Sequence, residues 1–479
     1  MAQTKSTHKS TELGTKPIGK LLASQAIPAA IGILIVSLYM IVDTIFVGRF
    51  VDPLGIGALT VVMPITFLIA SVGMAIGVGS ASIISRALGA NDPQHARHTF
   101  ANATGMTLTL AFGIVIAGSF FEEEILMLFG GKADILPFAK EYFRVVLWGV
   151  PFLAWAMMSN NLLRSVGLPK VAMMIMIIPA IANVIFDPIF ILVLDMGMAG
   201  AALATVIAYV ASATFGGWYL LSGRTELTLD RKLLRPNGKI LKEIFAIGGV
   251  TLARQGTVSL LYLVLNNVLF SYGGPLGVSV YGIVSRVMMF ANFPVLGVTQ
   301  GFLPIAGYNH GAEQWSRVKK TIILAIGAGT AISTVIFIGI LLFPGAITRL
   351  FSTDAGLVAQ TIPAMTIAFL AMPLITIQLV GSAYYQAIGK ALPALLLTLT
   401  KQGFFLIPLV LLLPGIYGLN GVWYAFPVAD VLSTVVTFAF LARSYRKINV
   451  QIQEDEMRRA SEADPETPAV EMRPENLVG

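Results

Sequence analysis

Apolar residues run in long stretches along this chain, with short polar segments between them. A helix needs about 20 mostly apolar residues to cross about 30 Å of hydrocarbon. Twelve stretches reach that length, near 21–47, 56–84, 99–120, 143–163, 171–194 and 199–221, then 244–271, 276–307, 321–343, 360–387, 392–413 and 421–442. The opening MAQTKSTHKSTELGTKPIGK is polar for too long to be a secretory leader, so the first span is expected to stay as helix 1. Composition agrees with the pattern. Of the 479 residues 56% are hydrophobic, mean hydropathy is +0.80, and 12% are charged, where a soluble domain carries about 25%. That excludes an ordinary cytosolic enzyme, a nucleic-acid module and a disordered scaffold. The absence of cysteine excludes disulfides, thiolate metal sites and a thiol nucleophile. The fold class expected is all-α and membrane-integral, with twelve transmembrane helices.

Lysine and arginine in the loops set the orientation. With the N-terminus inside, the inner segments hold 21 of these residues and the outer loops 5, so both termini are expected in the cytoplasm. The formal charge of +7 is therefore a topology signal, and no polyanionic partner is needed to explain it. The segment 450–479 is polar, carries eight acids and three prolines, and is expected to be a disordered cytoplasmic tail.

The chain repeats itself at an offset near 222. YMIVDTIFVGRFVDPLGIGAL from Tyr39 matches YLVLNNVLFSYGGPLGVSV from Tyr262, and LMLF ending at Phe129 matches ITRLF ending at Phe351. Pro151 falls against Pro373, Gly167 against Gly389, and Gly200 against Gly421. Matches at a nearly constant offset mean internal duplication. Two pseudo-symmetric six-helix bundles follow, 21–222 and 244–449, with a cytoplasmic segment 1–20 before them and a basic linker 223–243 between them. Six spans per half give both repeats one orientation, which is transporter architecture with a central cleft.

Charge inside the spans is sparse, and a charge at membrane depth is costly enough to need a partner or a task. Asp43, Asp187 and Asp430 are the acids there; Arg254, Arg286 and Lys401 are the bases. The first half has two acids and no base. Asp43 in helix 1 and Asp187 in helix 5 are expected at comparable depth, from a rise of about 1.5 Å per residue. Such a pair can take up a proton or hold a cation. Asn183 lies one turn before Asp187 on the same face, and Thr205 returns to that depth on helix 6. Oxygen-only ligands at Asp43, Asn183, Asp187 and Thr205 suit a hard cation such as Na⁺. A purely structural pair, bonded to backbone, is the alternative. In the second half, Lys401 and Asp430 fall at similar heights on adjacent spans and are expected to form an ion pair, with Arg254 and Arg286 partnering it or reaching a water-filled cavity. The four histidines, His8, His95, His98 and His310, lie outside the spans, so any protons fall to the carboxylates. Pro28, Pro179 and Pro188 interrupt the two helices that carry the acids. Methionines including Met288, with Tyr39 and Phe290, can supply adaptable cavity walls.

These residues resemble the multidrug and toxic compound extrusion (MATE) family over nearly the whole chain. The marks are YMIVDTIFVGR in helix 1, NVIFDPIF in helix 5, GMAGAALAT leading into helix 6, and LLRSVGLP. The sequence is closer to the DinF- and MepA-like branch than to the NorM-like branch. NorM-like members carry acids in helices 7 and 10, whereas 244–271 and 360–387 here have none. The resemblance implies a coupling site of Asp43, Asn183, Asp187 and Thr205, with the Ala201 carbonyl, beside a cavity lined by Tyr39, Tyr142 and Asn160. It also implies export of amphipathic organic cations in exchange for H⁺ or Na⁺ by alternating access, with no other cofactor.

The runner-up is a flippase or exporter of lipid-linked or other anions that uses Arg254, Arg286 and Lys401. An enzyme lacks support, since no metal-ligand spacing or intramembrane histidine appears. The expected setting is a bacterial inner membrane, with cationic small molecules and the bilayer as partners, no nucleic acid, and a monomeric chain.

Overall fold

A computed structural model of the protein describes residues 8–51, 53–130, 134–229, 233 and 235–463. Among them there is no strand. A short helix α1 (His8–Thr15) precedes the long α2 (Ile18–Phe50) and α3 (Pro53–Gly89). Then come α4 (Pro93–Phe120), a surface helix α5 (Glu122–Leu128), α6 (Ile135–Ser165), α7 (Pro169–Pro188) and α8 (Gly197–Leu221). Local chemistry sets where α4 starts: the Asp92 carboxylate accepts from the His95 amide, with Pro93 in the first turn.

The second half opens with α9 (Gly238–Gly311), 74 residues long. At about 1.5 Å per residue a straight helix of that length would overshoot any bilayer several-fold. It is broken at Gly274, whose φ of 58° and ψ of −159° no helix contains, so α9 supplies two spans. Next are α10 (Trp315–Leu342), α11 (Pro344–Arg349) and α12 (Ala355–Ala368), which joins α13 (Ile375–Ala387) through a tight turn at Met372–Leu374 with a 40° bend. α14 (Ala391–Leu399), α15 (Ile407–Leu412), α16 (Pro414–Tyr417) and α17 (Leu419–Ala463) complete the chain. Ten helices among the described residues are long and apolar enough to cross a membrane, and the bent α12–α13 pair makes eleven. Dividing α9 at Gly274 gives the twelve spans the sequence predicts. Large side chains such as Phe120, Val335 and Phe438 stand 78%, 69% and 64% exposed, which is tolerable only against lipid.

Three expected boundaries move. The linker 223–243 is already helical from Gly238, because the Asn237 side chain caps the Lys239 and Ile240 amides. The tail expected to be disordered from residue 450 continues as α17 to Ala463; QIQEDEMRRASEA is rich in good helix formers and meets no proline before Pro465. The rest of that tail, 464–479, lies outside the described residues. Within the segment 1–20, α1 and the start of α2 are ordered helix, while 1–7 lie outside the described residues.

The duplication is written in the backbone as well. Asn91 and Glu313, Gly167 and Gly389, and Gly197 and Gly418 share positive φ at offsets of 222, 222 and 221. Asn160 donates to the Ala172 carbonyl at 2.6 Å, and its counterpart Ser382 donates to the Ala394 carbonyl at 3.2 Å.

One apolar core joins both halves at the end where α1, the linker and the 90–92, 166–168, 312–314 and 388–390 turns meet, with Phe100 and Leu163 packed alongside Phe302 and Val380. We call this the linker end. At the opposite end each half has its own core, around Leu59, Val62 and Met198 in the first and Leu265, Val284 and Val422 in the second. The halves are therefore closed on each other at the linker end and apart at the other. Gly79 and Gly248 cross face to face within the seam; a methyl on either would strike the other helix's carbonyls at Ile244 or Ala75. Such small-residue contacts are how helices approach closely in a membrane. Ser82 donates to the Gln386 and Ala387 carbonyls at 2.7 and 3.1 Å, and Arg86 pairs with Glu243 at 2.7 Å. Arg317 and Asn309 hold the α1 carbonyl of Leu13 at 3.1 and 3.0 Å.

Candidate cation site

Four helices of the first half bring the acids and their neighbours together. Asp43 comes from α2, Tyr142 from α6, Asn183 and Asp187 from α7, and Ala201 and Thr205 from α8. All are buried, Asp43 at 6% and Asp187 at 2% exposure. The two carboxylates are close enough for their charges to interact, and Tyr39 and Tyr142 feel both. Tyr142 and Thr205 share a hydrogen bond of 3.3 Å, and the Thr205 hydroxyl donates to the Ala201 carbonyl at 3.1 Å. Tyr39 itself is half-buried.

Backbone irregularity positions Asp187 and Asn183 on α7. Pro179 has no N–H, so the Ile175 carbonyl loses its helical donor; Ser212 of α8 replaces it at 2.6 Å. Asn183 uses its amide N–H₂ on the Pro179 carbonyl at 3.1 Å, which leaves its oxygen free. Directly after Asp187 and Pro188 the chain takes a π-helical turn, Ile189–Val193. Turns of this kind cluster at functional sites.

What remains is a set of buried oxygens without donors. Asp43 Oδ1, Asn183 Oδ1 and Asp187 Oδ1 have no hydrogen-bond partner, and no salt bridge among the described residues reaches either carboxylate. A buried acceptor left unpaired is costly, and two acids without a counter-charge are costlier still. A proton or a hard cation satisfies this donor set. Among the described residues no three His, Cys, Asp or Glu side chains gather to hold a metal ion, so the oxygen ligands would be two carboxylates and neutral groups.

The remaining expected site residues separate. Asn160 donates its amide N–H to the Ala172 carbonyl at 2.6 Å and accepts from Arg164 Nε at 3.2 Å, so it clamps α6 to α7; the resemblance implies a cavity wall for it. Met288 lines a cavity of the second half, while Phe290 packs edge-on against Phe293 at 5.7 Å. Lys401 and Asp430 pair at 2.5 Å, as their heights suggest. Neither Arg254 nor Arg286 joins them; Arg254 is half-buried and Arg286 exposed.

Two residues escaped the sequence reading. Arg164, assigned to a loop, is 4% exposed at the end of α6, beside a small cavity in the seam. Tyr209 of α8 is 8% exposed and interacts with Tyr39, Tyr142 and Asp43. Its signal was its place one turn after Thr205.

Comparison with known proteins reaches most of the chain. A family model described as MatE matches residues 28–189 and 252–412, once in each half. Multidrug export protein MepA of Staphylococcus aureus (strain N315) is 27% identical over 443 residues, covering 91% of this chain and 96% of that protein. MepA of Staphylococcus saprophyticus is 27% identical over 407 residues, 85% of this chain and 90% of that one. Among solved structures, a MATE protein in complex with MaD3S superposes with a TM-score of 0.87 at 25% identity, over 93% of this chain and 100% of that one. The outward-facing conformation of a multidrug resistance MATE family transporter of the MOP superfamily gives 0.87 at 25% identity, over 93% and 99%. A MOP superfamily transporter from Pyrococcus furiosus, described as having a binding pocket of reversed polarity, matches equally well, with 0.87 at 25% over 93% and 99%.

Proposed function

The chain belongs to the MatE family, and from that membership we propose that it exports amphipathic organic cations, driven by H⁺ or Na⁺ that loads the Asp43–Asp187 cluster. It is a multi-pass membrane transporter and not an enzyme. The observation that carries the coupling is the set of three donorless oxygens on two uncompensated carboxylates and Asn183. The 21 to 5 split of basic residues and the bacterial relatives support a place in a bacterial inner (cytoplasmic) membrane with both termini inside.

The chemistry is charge competition. Unloaded, the two carboxylates form an electronegative site that favours a lipophilic cation in the adjoining cleft. A proton on one carboxylate, or Na⁺ among Asp43, Asn183, Asp187 and Thr205 with the Ala201 carbonyl nearby, removes that attraction and lets the drug leave. The linker-end closure corresponds to a cleft open to the outside, where such loading would occur. α7 has the joints to respond, at Pro179 and at the π turn after Pro188. Both walls of the cleft come from one chain, so a monomer suffices.

Competition is reciprocal, since each ligand weakens the other by the same factor. In detergent, lowering pH or adding Na⁺ is expected to raise the Kd of a cationic dye such as ethidium about tenfold or more. Asp43→Asn or Asp187→Asn should abolish that dependence. Unchanged competition in both variants would refute the assignment. The anion-flippase alternative loses ground at Lys401, which is paired with Asp430, so that a simple anion taking its charge would leave a buried acid unpaired.

A further inference from the structure

The second half holds a cavity of about 240 Å³, far from Asp43 and Asp187 in sequence and built from different helices. Its wall is aromatic and sulfur-rich. Tyr281 and Phe426 stack at 6.4 Å, Tyr262 leans on Tyr281 at 5.9 Å, and Met288 and Met372 fill between. Tyr262 and Met289 are 44% and 41% exposed, so the cavity has an open mouth. Into this aromatic-walled chamber project the Lys401–Asp430 pair and Asn292, whose buried oxygen has no donor.

The backbone singles out the same place. Lys401 sits on a π-helical turn, Thr400–Leu406, in the fifth span of its half. The first half has its own π turn in its fifth span, directly after Asp187. The extra residue in the turn lets Lys401 and its neighbour Gln402 both face the cavity, which consecutive positions of a regular helix do poorly. Bracing one bundle requires neither this irregularity nor an open aromatic chamber around the pair.

Charge arithmetic then fixes the ligand class. Among the described residues that line the cavity, each ion is the other's only counter-charge. A simple cation binding Asp430 strands Lys401, and a simple anion binding Lys401 strands Asp430; an unpaired buried charge is strongly unfavourable. A molecule with both charges makes two pairs from one and strands nothing. We propose that this cavity is a second binding site, selective for aromatic zwitterions, whose carboxylate meets Lys401 and whose ammonium meets Asp430 while the ring system lies on Tyr281 and Phe426. Asn292 Oδ1 accepts a remaining ammonium proton. The acid-only cluster of the first half has the opposite preference, for plain cations, so the two halves divide substrates by charge type.

Three environment-sensitive probes of nearly one shape test this on the purified full chain: Nε-dansyl-lysine, dansylcadaverine and dansyl-6-aminohexanoate, which are zwitterion, cation and anion at neutral pH. Dansyl fluorescence titration is expected to give the zwitterion a Kd at least tenfold below either analogue. Lys401→Met and Asp430→Asn should each erase that advantage. Met289→Trp, which narrows the mouth and leaves both charges in place, should abolish zwitterion binding even if the charge variants fold poorly. Equal affinities for the three probes in the wild-type protein, or wild-type zwitterion binding by Met289→Trp, overturns the proposal. Binding needs no ion gradient, so this outcome and the fate of the coupling reading at Asp43 and Asp187 are separable.

Discussion

Burial of Asp43 and Asp187 opposes stability, and the proposed coupling would give it a task. Each carboxylate lacks a hydrogen-bond donor for one oxygen, and each repels the other. An amide of the same shape keeps the packing and removes the charge. Asp187→Asn is therefore expected to raise the unfolding temperature in detergent by a few degrees at alkaline pH, where the wild-type acids are ionised. The gain should shrink as pH falls and protons neutralise the same carboxylate. A thermal shift series across pH checks this; a variant less stable than wild type at every pH contradicts it. Stability gained at the cost of function is the common signature of a working site. These acids were legible in the sequence because a charge inside an apolar run stands out. Arg164 was not, since it sits at the last turn of its span and resembles a loop residue until α6 buries it. Asn160 was named only through the family resemblance, as a cavity residue, and nothing in the sequence says that its amide is spent on Ala172 and Arg164.

The helices show a different limit. Their number and approximate ends follow from apolar run length, but the caps at Asp92 and Asn237 start two of them earlier than that length suggests. The π turns after Asp187 and around Lys401 leave no mark in composition, because one added residue in a turn alters neither hydrophobicity nor propensity. Proline positions were readable, but the repair of the freed carbonyl was not: Ser212 reaches Ile175 from another helix. That repair gives a prediction for the α7–α8 pair. Ser212→Ala leaves a buried carbonyl unpaired and should cost about 1–3 kcal/mol. In a Pro179→Ala background the backbone N–H returns, and the same serine loss should cost much less. Equal losses in both backgrounds, measured by unfolding in detergent, would mean that the serine bond does not compensate for proline.

For the whole molecule, closure at the linker end and separation at the other decide which face the cleft serves. The seam depends on Gly79 and Gly248, where no side chain can be accommodated. Gly248→Ala should push the halves apart there and weaken the closed linker end. Because the chain has no cysteine, spin labels at Gln94 and Glu313, in and beside turns that meet across a polar pocket of the seam, report that distance alone. A longer and broader distribution in the variant is expected, and an unchanged one would show that the seam tolerates the methyl. The duplication itself was readable at an offset near 222, since sequence and backbone conformation repeat together. The conformation was not, because one sequence serves every state of a transporter.

Export, in the end, is a matter of gradients. Proteoliposomes holding the purified protein, with a proton or a sodium gradient imposed singly, measure whether ethidium moves uphill. Wild-type protein is expected to move the dye in response to at least one of the two gradients, and Asp43→Asn and Asp187→Asn each to lose that response at least tenfold while still inserting and folding. Gradient-driven movement at the wild-type rate in either variant would contradict the assignment of coupling to these two carboxylates.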